Sequence, residues 1–207
     1  MKQRTLQICE LADPETRDGI RAGTYRLLAM LLGKPPSAPI LTYLRERDEP
    51  ESADGSLAAG WRALKQASDD ADLETLEDEF HALFIGLGCG ELVPYGSWYQ
   101  TGALMGTQLA MLRRDLSALG IERQPGVSEP EDHAAALCET MALIISSDSE
   151  ISIGSQKVFF QDHFGPWMGS FFRDMQEAKA AHFYRTVGRF GAAFIKTEER
   201  YLVEPYG

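Results

Sequence analysis

Cysteine is scarce in this chain of 207 residues: Cys9, Cys89 and Cys138 are odd in number and far apart. Such spacing supplies no disulfide framework and fits a reducing cytoplasm. Long apolar runs are missing as well. None approaches the roughly 18 residues that span a bilayer, so no stable membrane insertion is expected. The start, Met1 to Glu10, has no continuous apolar core and turns acidic at once, which does not read as a secretory signal. Basic charge is the third shortage. Twenty Lys and Arg against 31 Asp and Glu leave a formal net charge of −11. A chain this acidic repels a phosphate backbone, which argues against nucleic acid as a partner and suits a cationic one. The basic pair Arg113-Arg114 is followed at once by Asp115 and reads as a solvated helix face.

Catalytic and cofactor signatures are also absent. There is no G-x-x-x-x-G-K-[ST] phosphate loop, no G-x-G-x-x-G after a strand and no G-x-S-x-G elbow. Asp78 and His81 share one helix face, but a di-iron bundle needs a second such pair and more glutamates. His133 and Cys138 lie five apart, about 140° around a helix, and cannot chelate together. No metal, cofactor or catalytic residue is therefore assigned. Asp132 beside His133 leaves open a small hydrolase or nucleotide-binding protein, although adjacent helical residues do not face each other. A general helical adaptor is the other alternative.

What is present is helix after helix. Ile20, Thr24, Leu27, Leu28, Leu31 and Leu32 carry a helical period that Gly33-Lys34-Pro35-Pro36 stops. Shorter helices are expected near Ile40–Arg47 and Leu57–Ala67. A stripe of Leu73, Leu76, Phe80, Leu83 and Phe84 follows, its solvent side carrying seven carboxylates between Asp69 and Glu79. After a Gly- and Pro-rich break at Gly86–Tyr99, helices are read from about Gly102 to Leu119, then from Ser128, Gly154–His163, Pro166–Ala178 and Ala181–Tyr201. With hydrophobic residues at 44% and no sustained strand alternation, the fold class is all-α, a bundle-like single domain of about nine helices. Its expected halves are 1–120 and 129–207, joined by a hinge at about 120–128.

Two segments exceed what a bundle needs. Ser128-Glu129-Pro130-Glu131-Asp132-His133 has the S-x-x-E spacing of a capping box, with Pro130 tolerated in a first helical turn. Three carboxylates in four positions are more than capping requires, and His133 is in register with Leu137, Met141 and Ile144. The other segment is Pro94-Tyr95-Gly96-Ser97-Trp98-Tyr99, where three aromatics crowd a loop. Large rings in a surface loop either plug the space between helices or line a binding groove. Tyr95, Tyr99, Asp132 and His133 are expected to converge on one groove.

The order of these two motifs, with a Leu83-Phe84 helix end before the loop and Glu139 and Met141 after the second motif, resembles the TorD/DmsD family. These are cytoplasmic chaperones of molybdenum-cofactor oxidoreductases exported by the twin-arginine route. The match is best from about Leu73 to Ile145. The resemblance implies an all-helical domain without turnover chemistry, sometimes exchanged between protomers. It also implies a partner: the twin-arginine leader, and the apo-subunit, of a molybdenum-dependent reductase or dehydrogenase. The residues it points to are Leu83, Phe84, Pro94, Tyr95, Gly96, Ser97, Trp98, Tyr99, Glu129, Pro130, Glu131, Asp132 and His133. The residue chemistry agrees, because two guanidinium groups ahead of an apolar stretch call for carboxylates beside a hydrophobic groove. A monomer with some domain-exchanged dimer is expected, the hinge at Gly120–Val127 allowing the exchange.

Overall fold

A computed structural model describes residues 16–47, 55–86, 90–123, 126, 128–147 and 153–203. Cys9, Cys89 and the Met1–Glu10 start lie outside the described residues. So do Gln124, Pro125 and Val127 of the expected hinge. Among these described residues lie ten α-helices: α1 (Arg17–Gly33), α2 (Ala38–Glu46), α3 (Gly55–Asp69), α4 (Leu73–Phe80), α5 (Gly96–Thr101), α6 (Thr107–Ala118), α7 (Ala134–Ser146), α8 (Ile153–Phe159), α9 (Gly165–Glu177) and α10 (Phe183–Val203). Two π-helical turns, His81–Ile85 and Phe160–Phe164, extend α4 and join α8 to α9. Counted as continuous rods among the described residues, the helices number nine. Among the described residues one isolated antiparallel β-bridge is formed, Tyr95 to His133.

The core is built on α1. Tyr25, Leu27, Leu28, Leu31 and Leu32 are at most 1% exposed, because α1 is covered on several sides rather than one. Its main partner is α7, whose Leu137, Met141 and Ile144 are equally buried. The other large contacts are α9 and α3 against α10. Gly191 of α10 is needed there, since a Cβ would come within 2.4 Å of the Phe172 ring. A buried polar tie crosses the same core. Arg21 holds both oxygens of Glu198 at 2.8 Å, and Tyr25 and Gln156 complete the network. Breaking such a buried pair from one side is costly, because it strands the other charge.

Several expectations shift. Gly154–His163 and Pro166–Ala178 form one rod, since a π-turn carries the chain through Gly165 and Pro166 without a break. The helix expected from Gly102 starts only at Thr107, while the loop before it contains α5. The acidic face of α4 is not wholly solvated. Asp72 N-caps α4 by accepting from the Thr75 N–H, but Glu79 turns inward and is 6% exposed. There it accepts from the backbone N–H groups of His182, Phe183 and Tyr184 at 2.7–3.1 Å, which start α10. A carboxylate at a helix N-terminus satisfies orphan donors and complements the helix dipole.

Candidate functional site

The start of α7 departs from the capping-box reading. Residues 128–132 form a bend and a turn, and the helix begins at Ala134 with His133 as its N-cap. His133 Nδ1 accepts from the Ala135 N–H at 3.1 Å, so the neutral ring carries its proton on Nε2. The Ser128/Glu131 box does not form because long-range pairing claims this segment first. Ala134 N–H donates to the Pro94 carbonyl at 2.8 Å and Gly96 N–H donates to the Asp132 carbonyl at 2.9 Å, flanking the Tyr95–His133 bridge. Pro130 sits in the turn, its carbonyl accepting from the His133 N–H at 3.1 Å.

Side chains reinforce this staple. Asp132 is 4% exposed, and its Oδ2 accepts from the Ser97 N–H at 2.8 Å, capping α5. Its Oδ1 is buried with no hydrogen-bond partner. An unmet buried acceptor of this kind costs on the order of 1–3 kcal/mol, more when charged. Tyr95 donates its hydroxyl to Glu129, and its ring meets the His133 ring edge-on at 5.1 Å. Burial first, then the Glu129 carboxylate, push the Tyr95 hydroxyl well above its usual range. Burial also lowers the His133 pKa, outweighing the nearby Glu129 and Asp132. Burial alone would raise the Glu131 carboxyl; Arg113, 2.9 Å away, and Arg123 hold it below its usual range instead.

The candidate residues thus divide. Pro94, Tyr95, Gly96, Ser97, Glu129, Pro130, Asp132 and His133 meet at one joint. Gly96 is required by packing there, because a Cβ would lie 2.9 Å from Trp167 Nε1. Glu131 is neutralised on the far side by arginines. Tyr99 does not join Tyr95. It lies one turn into α5, faces α9 against Trp167 and Phe171, and donates to Asp174 at 2.9 Å. Leu83 is fully buried, and the Phe84 ring packs tilted against Phe80 and Phe171 and edge-on against Tyr184. These rings plug the core. Trp98 alone of the loop aromatics is well exposed, at 42%.

Beside the joint lies a cavity of about 120 Å³, bordered by Gly96, Ser97, Gln100, Gln108, Asp132 and Asp162 among others. Sequence reasoning missed Gln100, Gln108 and Asp162, which come from three elements and carry no local pattern. Among the described residues no group of three His, Cys, Asp or Glu side chains could hold a metal ion, and no helix is long and apolar enough to cross a membrane.

A family model described as "Nitrate reductase delta subunit" matches residues 51–173, more than half of the chain. The chain belongs to that family. As a delta-subunit family member it has curated relatives named "Chaperone protein TorD". One, from Vibrio cholerae serotype O1 (strain M66-2), is 28% identical over 179 residues, covering 81% of each chain. Another, from Vibrio vulnificus (strain YJ016), is 27% identical over 184 residues, covering 83% of this chain and 85% of the relative. A solved structure of a putative redox enzyme maturation protein from Archaeoglobus fulgidus superposes with a TM-score of 0.57 at 22% identity, covering 87% of this chain and 94% of that one. It shares the fold. The TorD-like resemblance read from the two motifs is met by these relatives, and both motifs lie inside the matched span of this delta-subunit family member.

Proposed function

We propose that this protein is a cytoplasmic maturation chaperone that binds the twin-arginine leader, and with it the apo-subunit, of a molybdenum-cofactor oxidoreductase. It would hold the client until cofactor insertion is complete. The observation that carries this reading is the joint itself. Two motifs 35 residues apart, Ser97 to Asp132, are stapled together around a buried carboxylate with one oxygen left unmet. The relatives named as TorD chaperones support the same class. An acidic chain speeds encounter with a cationic leader and rejects anionic competitors.

The hydrolase alternative fits less well. Among the described residues no hydrogen bond joins the side chains of Asp132 and His133, which instead cap α5 and α7.

Calorimetry tests the reading with a synthetic leader carrying Arg-Arg and a second carrying Lys-Lys. The arginine form should bind more tightly, because only a guanidinium presents a planar fork of donors. Equal affinity, or no binding of either, would reject it.

A further inference from the structure

Helix α10 carries a line of cations that the core does not use. Arg185, Arg189, Lys196 and Arg200 are spaced by four, seven and four residues, which places them within about 60° of one another around the helix. Arg189, Lys196 and Arg200 are exposed and Arg185 is half-buried. The other sides of α10 are covered. Phe190 meets Trp61 of α3, Phe194 meets Tyr25 of α1, and Gly188 and Gly191 lie against Phe172 of α9. The line therefore runs along the solvent side of the helix, over about 22 Å.

Elsewhere this acidic chain pairs its arginines: Arg21 with Glu198, Arg113 with Glu131 and Arg114 with Asp115. Among the described residues no ion pair engages Arg185, Arg189 or Lys196. Arg185 is instead pinned along the surface, its Nε donating to the Gln176 carbonyl at 3.1 Å. Arg185 and Arg189 are like charges four apart, which weakens a helix rather than supporting it. Of the carboxylates on α10, Glu198 is buried and Glu199 lies about 40° outside the line. Between Arg189 and Lys196 the surface is floored by Ala192 and Ala193, so a partner can approach the helix closely there.

Charge and shape select the occupant. Cations in a line call for an anionic partner of matching length. A phosphate backbone, charged at every step, is repelled by the rest of a chain at −11. Helices that seat on membranes add large apolar residues to their cations, and none of the exposed large hydrophobics among the described residues is on α10. Three of the four cations are arginines, whose planar fork holds a carboxylate through two hydrogen bonds.

We propose that the exposed face of α10 docks an elongated acidic polypeptide segment, its carboxylates set against Arg185, Arg189, Lys196 and Arg200. The inference goes beyond leader binding and does not rest on it, because a cationic leader is repelled by this face.

The experiment is calorimetry with a synthetic helical peptide carrying four glutamates on one face, titrated at low and at physiological salt. The wild type is compared with Arg189→Gln/Lys196→Gln and with Lys34→Gln/Arg114→Gln, which loses the same charge from exposed positions at the end of α1 and on α6. Gln has a helical propensity close to that of Arg and Lys, and circular dichroism checks that each variant folds. The wild type should bind at low salt and lose about tenfold in affinity at physiological salt. The α10 variant should bind about fivefold to tenfold more weakly, and the Lys34/Arg114 variant as tightly as the wild type. No binding by the wild type, or an equal loss in both variants, would overturn the proposal. Anionic phospholipid vesicles that sediment with the wild type but not with the α10 variant would give the face to a membrane instead. Self-association in light scattering that is lost in the α10 variant would give it to the acidic side of α4 in a second copy. Either result overturns the proposal.

Discussion

Glu79 on α4 and Asp132 before α7 are both buried carboxylates that reach across to the N-terminus of another helix. Glu79 receives three backbone N–H groups at the start of α10, and both of its oxygens are engaged. Asp132 receives one, from Ser97 at the start of α5, and its second oxygen has no partner. Their exposure is nearly the same, 6% and 4%. Burial therefore does not separate these two carboxylates; hydrogen-bond satisfaction does. A fully bonded cap has spent its acceptors on the fold, whereas a half-bonded cap leaves one buried acceptor unmet at a cost to stability.

Replacement of the two residues should break this parallel. Glu79→Ala strands three N–H groups in the interior and should destabilise the fold by on the order of 3 kcal/mol, read by chemical denaturation. Leader affinity, measured where the variant is still folded, should not move. Asp132→Asn is the converse. Its amide oxygen can still accept from the Ser97 N–H, so stability should change by less than about 1 kcal/mol. Leader binding should fall about tenfold, because the charged acceptor is gone. If Asp132→Asn costs as much stability as Glu79→Ala and leaves binding intact, the two carboxylates are the same kind of cap.

That contrast also marks how far the sequence could be read. The all-helical class, the stop of α1 at Gly33 and the pairing of the two motifs were legible, because helical period and Gly/Pro punctuation are local signals. The inward turn of Glu79 was not, since it sits among seven carboxylates of identical pattern and only the position of α10 singles it out. The start of α7 misled for the same reason. Ser128 and Glu131 match a capping box, but the Pro94 carbonyl and the Gly96 N–H pair with residues 132–134 and hold the chain out of the helix. Helix α5 escaped because six residues opening on Gly-Ser carry little helical propensity. Of the aromatic loop, sequence reading foresaw the meeting of Tyr95 with His133 but not that Tyr99 faces α9, as α5 rotates the two rings apart.

His133 sharpens the comparison through pH. Burial lowers its pKa in the folded chain, so the folded state binds fewer protons than the unfolded one just below the free value of about 6.5. Stability is then fully present above that value and is lost as pH falls through the folded pKa, where protonation of Nδ1 also ends its bond to the Ala135 N–H. His133→Asn keeps a good N-cap without a titrating ring. Thermal melts should show the wild type losing stability on acidification relative to this variant. Parallel curves would mean that Tyr95, Glu129 and Asp132 offset the burial.

The smallest expected effect concerns assembly. Glu131 faces Arg113 of α6 at 2.9 Å and Arg123 at 4.0 Å, so it ties the segment before α7 to both sides of the expected hinge's start. The arginines are 51% and 35% exposed at their side chains, which limits the pairs to about 0–1 kcal/mol. Beyond that connection, α7 and α10 pack against α1 and α3, contacts that a second copy could supply equally well. We therefore expect mainly monomer, with a domain-exchanged dimer whose share rises by no more than a few-fold in Glu131→Gln, since only the tie and not the packing is weakened. Size-exclusion with light scattering on fresh and aged samples reads that share. An obligate dimer that never yields folded monomer on dilution would argue for a conventional interface instead. Unchanged dimer in Glu131→Gln would show that the staple between Pro94–Ser97 and Asp132–Ala134, rather than the arginine tie, keeps the halves closed.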